Sequence, residues 1–282
     1  MVELGTRTLQ GANLPGARLD AQVLLGHVLG VERATLYAYP EREVSVEQEQ
    51  RYLALIERRM RHEPVAYLVE HKEFYGLDFF VDRRVLIPRP ETELLVETAL
   101  ASISAVIAAG HTPVIADIGT GSGAIPIALV VTETRLPYIY ASDISSAALE
   151  VARLNCQRHH VAERVRLLQG DLLAPLPEPV DLLLANLPYV GTDEIHSMTP
   201  DVLEYEPHLA LFSGPQGLAL IERMCVEAKQ SAILKPGSTM LLETGYQHRE
   251  ALTQIIQKHW PQASITWKQD YAGFDRLLQV II

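Results

Sequence analysis

The chain has only two cysteines in 282 residues, Cys156 and Cys225. They stand too far apart for a metal-ligand spacing, so neither a disulfide framework nor a cysteine-held metal organises the fold. Free thiols in a reducing cytosol are expected. Long apolar runs are also missing. The most apolar-leaning stretch, TALASISAVIAAG, is too short and too rich in Ser and Ala to span a bilayer. The opening MVELGTRTLQ lacks a basic segment followed by an apolar one, so no secretory signal is read. Positive charge is scarce. Lys and Arg number 24 against 35 Asp and Glu, a formal charge of −11. That balance argues against a broad grip on nucleic acid, which needs clustered cations, although it leaves room for a local basic patch. The ten histidines are scattered without metal spacing, and no metal site is expected. Internal repeats and low-complexity tracts are absent. These exclusions leave a cytoplasmic protein with an ordinary core, held by no membrane and by no stable nucleic-acid contact, and a monomer is the expected state.

What is present falls into two styles. Residues 1 to about 66 read as helical. Ala21, Leu24, Leu25, Val28 and Leu29 follow the i, i+3, i+4, i+7, i+8 rule of a helix with one buried face. Leu53, Ile56 and Met60 repeat it more thinly. Pro40 separates the two helices and Pro64 closes the second. EFYGLDFFVD, residues 73–82, is aromatic and partly alternating, with Gly76 at its turn, which predicts a hairpin. VLIPRPETE then carries two prolines that forbid regular helix until Glu91. Leu95, Val96, Ala99, Leu100, Ile103, Val106 and Ile107 predict a further amphipathic helix.

From Pro113 strands and helices alternate: PVIADIG, AIPIALVVT, YIYASD, AALEVARLNCQRH, VRLLQGD, VDLLLAN, GLALIERMCVEAKQSAIL, STMLLETG and ALTQIIQKH. This pattern predicts βαβ units around a mostly parallel, doubly wound sheet. The last two strands, SITWKQ and RLLQVII, are joined only by DYAGFD. That is too short for a parallel crossover, so they are expected to pair antiparallel.

Two stretches carry chemistry. DIGTGSGA, residues 117–124, lies between the first strand of this series and its helix. Gly119, Gly121 and Gly123 permit a tight turn and close approach of a ligand to the main chain, with Thr120 and Ser122 between them. Asp143 ends the next strand, 20 residues after Gly123, where an acid suits a ribose diol. An adenine-nucleoside cofactor is implied; the bland alternative is a tight turn with a solvated Asp. GTGSGA also satisfies a dinucleotide pattern, so an NAD-dependent oxidoreductase is a second reading. Asp117 weighs against it: a carboxylate at the strand end would repel a pyrophosphate but could take the ammonium of S-adenosylmethionine.

The other stretch is LLLANLPYV, an apolar strand ending on Asn186, Leu187, Pro188 and Tyr189. Ligands of open α/β sheets sit at the carboxyl ends of strands. The Asn186 side-chain carbonyl and the Leu187 backbone carbonyl could accept the two hydrogens of a planar –NH2 group, and the Tyr189 ring could stack on its plane. Pro188 biases Leu187 to an extended backbone. Such a set aligns an attack rather than supplying a strong base. An ordinary turn is the alternative. A module that binds the cofactor and only docks a partner is a third possibility, disfavoured because the glycine turn and this exit occur together. Arg89, Glu91 and Glu93 could serve the site or simply open a helix. Glu206 and Pro207 could order a loop over the substrate.

These residues carry a resemblance. EFYGLDFFVDRRVLIPRPETELLVE, DIGTGSGAIPIAL, SDISSAALEVARLN, GDLL, NLPY, EYEPHLALFSGPQGL and DYAGFDR, in order, resemble the HemK/PrmC family, the glutamine-N5 methyltransferases of peptide chain release factors. The resemblance implies a helical substrate-recognition domain (1–66), a hairpin linker (67–88) and a class I, Rossmann-like methyltransferase domain (89–282). It implies S-adenosylmethionine as cofactor, lined by Gly119 to Gly123, Asp143, the Asp171–Leu172 position and Asn186. Residues 186–189 would hold the glutamine of a Gly-Gly-Gln motif in the partner, a release factor. Three positions depart from the family. Leu187 replaces a proline, Leu172 stands where an aromatic is frequent, and Glu70 stands where glycine is common. Asn-Leu-Pro-Tyr also resembles the motif of ribosomal RNA adenine-N6 methyltransferases, and a ribosomal-protein glutamine methyltransferase shares nearly every motif named.

Overall fold

The computed structural model describes residues 1–282, which form two compact units. The first comprises residues 1–71 and 198–205, the second residues 72–197 and 206–282.

The first unit is helical: α1 (Val2–Gly11), α2 (Ala17–Leu29), α3 (Arg33–Ala38), α4 (Val46–Met60) and α5 (Val65–Val69). On α2, Ala21, Leu24, Leu25 and Val28 are buried, as the periodicity predicts. On α4 the buried stripe is Tyr52, Ile56 and Arg59, whereas Leu53 and Met60 are exposed. The stripe turns because Arg59 belongs inside. It donates to Asp20 at 2.8 Å and to Asp201 at 2.8 Å, so its charge is compensated where it is buried. Ser45 and Gln48 close a reciprocal capping box at the start of α4. Glu70 ends α5 with φ +53, the left-handed conformation in which glycine is cheapest.

This division differs from the expected 1–66, 67–88 and 89–282. Residues 67–71 belong to the helical unit, which also takes in α9 (Pro200–Tyr205), a helix that periodicity did not single out. The hairpin, β1 (Lys72–Phe74) and β2 (Leu77–Phe79), belongs to the large unit. Its Phe74 and Phe79 are fully buried, and the turn residues Tyr75 and Gly76 both have positive φ, the type I′ pattern.

In the large unit, α6 (Glu93–Ala108) precedes a seven-stranded sheet. The strands are β3 (Ile115–Ile118), β4 (Ile139–Asp143), β5 (Val165–Gln169), β6 (Val180–Ala185), β7 (Leu234–Glu243), β8 (Ser264–Gln269) and β9 (Asp275–Ile281). Their order is β5-β4-β3-β6-β7-β9-β8. The first five are parallel, while β9 pairs antiparallel with both β7 and β8. Helices α7 (Ala124–Thr132), α8 (Ser146–Arg158), α10 (Ala219–Ser231) and α11 (Arg249–His259) accompany the strands. β3 and β6 are buried almost throughout, which is why both read as short unbroken apolar runs. Strand order reverses between β3 and β6. This switch point brings the carboxyl ends of the two chemistry-bearing strands side by side.

Candidate active site

A cavity of about 310 Å³ opens at that switch point. It is lined by Gly119, Thr120, Gly121, Ser122, Asp143, Asp171, Leu172, Asn186, Leu187 and Pro188, with apolar cover from Ile118, Ile125, Ile144, Leu209 and Leu220. Three residues of the expected set do not line it: Asp117, Gly123 and Tyr189.

Gly123 stands at the N-cap of α7 with φ +79, and a Cβ there would meet Ile127 and Ala152 at 3.1 and 3.3 Å. Its role is packing. Asp117 is fully buried behind the turn, and neither carboxylate oxygen has a hydrogen-bond partner. Burial pushes its carboxyl up to about 7. The nearby Thr120 hydroxyl opposes the rise and Asp143 adds repulsion, yet Thr120 Oγ1 is itself unpartnered. Buried polar groups left in this state are costly.

The glycine turn is held from three sides. The Gly119 and Thr120 N–H groups both donate to the Ser142 carbonyl at 2.9 Å. The Gly121 N–H donates to Asp143 Oδ2 at 2.9 Å, and the Ser145 N–H to Asp143 Oδ1 at 2.9 Å. Burial raises the Asp143 carboxyl, and these backbone donors counter it. The third hold comes from Asn155 on α8, which is fully buried. Its Nδ2 donates to the Ser122 carbonyl at 2.9 Å and to the Phe80 carbonyl at 3.0 Å, while its Oδ1 accepts from the Phe80 N–H at 2.8 Å. The periodicity of LEVARLNCQ marks Asn155 only as a polar residue on a buried face, and nothing local signals its partners.

The Asn-Leu-Pro-Tyr exit is equally supported. Asn186 Nδ2 donates to Thr92 Oγ1 at 3.1 Å, and Thr92 is buried. Glu243, at the end of β7, is buried, and the pairing of Ala185 with Leu242 sets it next to Asn186. Burial pushes its carboxyl up to about 7, with Thr92, Arg276 and Asn186 pulling it down and Glu91 repelling it. The Leu187 side chain packs in the core, and its Cδ2 lies 3.1 Å from where a Gly119 Cβ would stand. Tyr189 sits edge-on to His248, with ring centroids 6.4 Å apart. The segment beyond is pinned to residues 211–214: the Val190 N–H donates to the Leu211 carbonyl at 2.9 Å and the Ser213 N–H to the Val190 carbonyl at 3.1 Å. Gly217, with φ +76, passes so close that a Cβ would stand 2.0 Å from the Tyr189 carbonyl oxygen.

Around the mouth, Arg89 lines the cavity and pairs with buried Glu206, whose Oε2 also accepts from the Ile87 N–H at 3.2 Å. The pair ties LIPRP to the EPHLA loop. Glu93 accepts from the Tyr75 N–H at 3.0 Å, and Glu91 is exposed. Asp171 is ion-paired with Arg223. Leu172 lines the cavity with φ +43. Sequence reasoning missed Thr92, Asn155 and Glu243.

Residues 1–69 match the family described as PrmC N-terminal domain, and residues 96–211 the family described as ribosomal protein L11 methyltransferase (PrmA). The release factor glutamine methyltransferase of Koribacter versatilis is 36% identical over 273 residues, covering 96% of this chain and 93% of that protein. The chain belongs to the release factor glutamine methyltransferase family. Another member, from Moorella thermoacetica, is 39% identical over 271 residues, covering 96% of this chain and 93% of its own. The large unit has the fold of other methyltransferases. The hMettl16 catalytic domain, solved with a MAT2A 3′UTR hairpin, aligns with a TM-score of 0.55 at 16% identity, covering 84% of this chain and 80% of that one. At that identity the likeness is of fold alone. A family member with this sheet and these motifs is a methyltransferase enzyme. No helix is long and apolar enough to cross a membrane, and no group of His, Cys, Asp and Glu could hold a metal ion.

Proposed function

We propose that this methyltransferase transfers a methyl group from S-adenosylmethionine to the side-chain amide nitrogen of the glutamine in the Gly-Gly-Gln motif of a peptide chain release factor, met in the cytoplasm. The observation that carries the reading is the Asn186 amide. It stands at the carboxyl end of β6, beside the glycine turn, with its Nδ2 already engaged by Thr92 and its Oδ1 left as an acceptor.

The residues fit the cofactor. The unpartnered Thr120 hydroxyl at the cavity wall, with the unpartnered Asp117 carboxylate buried behind it, suits an α-ammonium group. Asp143, held by two backbone donors, suits ribose hydroxyls. Ile125, Ile144, Leu172 and Leu209 offer apolar cover to a purine. When bound, S-adenosylmethionine supplies an electrophilic methyl on a sulfonium that leaves readily. The chain's own task is alignment. Asn186 Oδ1 and the Leu187 carbonyl accept the two amide hydrogens, which holds the –NH2 plane and presents its nitrogen. Tyr189 offers its ring to that plane. As the N–C bond forms and the S–C bond breaks, the amide nitrogen becomes strongly acidic, so one of its hydrogens leaves as a proton to water and no residue is asked to act as a strong base.

The test is mass spectrometry of the Gly-Gly-Gln peptide after incubation with S-adenosylmethionine and an unmodified release factor. One added methyl on the glutamine is expected, reduced about a hundredfold or more in Asn186→Ala. A bare glutamine, despite cofactor binding, would refute the substrate. Ribosomal protein and then ribosomal RNA would be the substrates to try next.

A further inference from the structure

An asparagine amide has an acceptor end and a donor end of nearly the same shape, so something must decide which end faces the substrate. Thr92 alone cannot do so. A hydroxyl can accept from Nδ2, as here at 3.1 Å, or turn and donate to Oδ1. A carboxylate differs because it only accepts. Glu243 is 2% exposed, and its Oε2 has no partner. The register of β6 with β7, which pairs Ala185 with Leu242, sets Glu243 next to Asn186 at the ends of the two strands. A flipped Asn186 would put Oδ1 against that negative charge. The charged and polar groups that act on the Glu243 carboxyl are Thr92 and Glu91 from the segment opening α6, Asn186 and Tyr189 from the β6 exit, and Arg276 from β9.

We infer that Glu243 is a positioning residue: its ionised carboxylate, with Thr92, locks the Asn186 amide so that Oδ1 faces the acceptor nitrogen of the substrate. The inference rests on the proposed amide-methylating role of Asn186, but the amide orientation can be read without substrate. Protonated Glu243 gains an O–H donor, which welcomes the flipped Oδ1. Glu243→Gln places an N–H2 there and imitates that state without titrating. The lock therefore holds at high pH and loosens as pH falls through about 7, the value to which burial lifts this carboxyl.

The chain contains three asparagines, Asn13, Asn155 and Asn186. Selective 15N-asparagine labelling of the full chain thus yields three side-chain amide pairs, with Asn186 assigned by its loss in Asn186→Ala. In the cofactor-free protein the Asn186 pair is expected to shift with a midpoint near pH 7 and to be pH-insensitive in Glu243→Gln. With substrate and saturating cofactor, Glu243→Gln is expected to lower kcat about tenfold, to move the cofactor KM less than about threefold and to remove the acid limb of kcat. A pH-insensitive Asn186 pair in the wild-type protein, or a Glu243→Gln kcat within about twofold of wild type, would overturn the inference. Asp117 on the neighbouring strand also titrates through about 7, so the titration is repeated in Asp117→Asn: a midpoint that persists there belongs to Glu243 even where Glu243→Gln does not fold, and one that vanishes overturns the inference. If no release factor is methylated, the substrate reading fails while the NMR titration still judges the lock.

Discussion

Asn155→Ala tests the least obvious support of the site. The substitution removes three hydrogen bonds, two to carbonyls at 2.9 and 3.0 Å and one from an N–H at 2.8 Å. Each is worth about 1 kcal/mol net, and stranded partners cost more than a bond that never existed. Ser122 is buried, so water does not replace its lost donor, whereas Phe80 is half-buried and its groups recover part of theirs. The expected loss is about 3 kcal/mol. Both tryptophans, Trp260 and Trp267, lie in the large unit, so their fluorescence follows the unfolding of that unit. With a urea slope of roughly 2–3 kcal/mol/M, the midpoint should fall by about 1 M at unchanged slope. The same release of the Ser122 carbonyl slackens the glycine turn, so S-adenosylhomocysteine should bind about fivefold more weakly by calorimetry. A midpoint shift below about 0.3 M would mean that Asn155 does not brace the turn, and the account of this site would fail there.

Asp117→Asn separates stability from binding. The Asp117 carboxyl stands above its unfolded value, so its stabilising contribution is complete below about pH 4 and is lost as pH rises through about 7. The cofactor-free variant should therefore be more stable at pH 8 by up to about 4 kcal/mol, with a flatter pH profile in urea unfolding, while S-adenosylhomocysteine binds at least about tenfold more weakly. An unchanged affinity would remove Asp117 from the site. Gly217→Ala meets backbone rather than a flexible side chain, 2.0 Å from the Tyr189 carbonyl oxygen, so the Tyr189 turn must move. Methyl transfer should fall about tenfold while cofactor affinity changes less than about threefold, because Tyr189 does not line the cavity. Equal losses in both would show that the exit and the cofactor cavity are one mechanical unit.

The sequence by itself determined the alternation of strands and helices, because apolar periodicity is a local property written within ten or fifteen residues. It placed the hairpin turn at Gly76, the antiparallel final pair and the glycine turn, each set by chain geometry over a short span. It also showed that NLPY ends a buried strand. It misjudged the inward face of α4, because a paired arginine does not register as a core residue. Tertiary structure decided the rest. Only the strand order sets β6 beside β3 and so brings Asn186 to the glycine turn. Only packing brings Thr92 to Asn186 across 94 positions and Asn155 to Phe80 across 75, and only the β6–β7 register sets Glu243 next to Asn186. A hydrogen bond between distant residues leaves no pattern near either one. Most of the residues that line the cavity are therefore legible from short motifs, whereas the groups that hold them in place become visible only when the sheet is assembled.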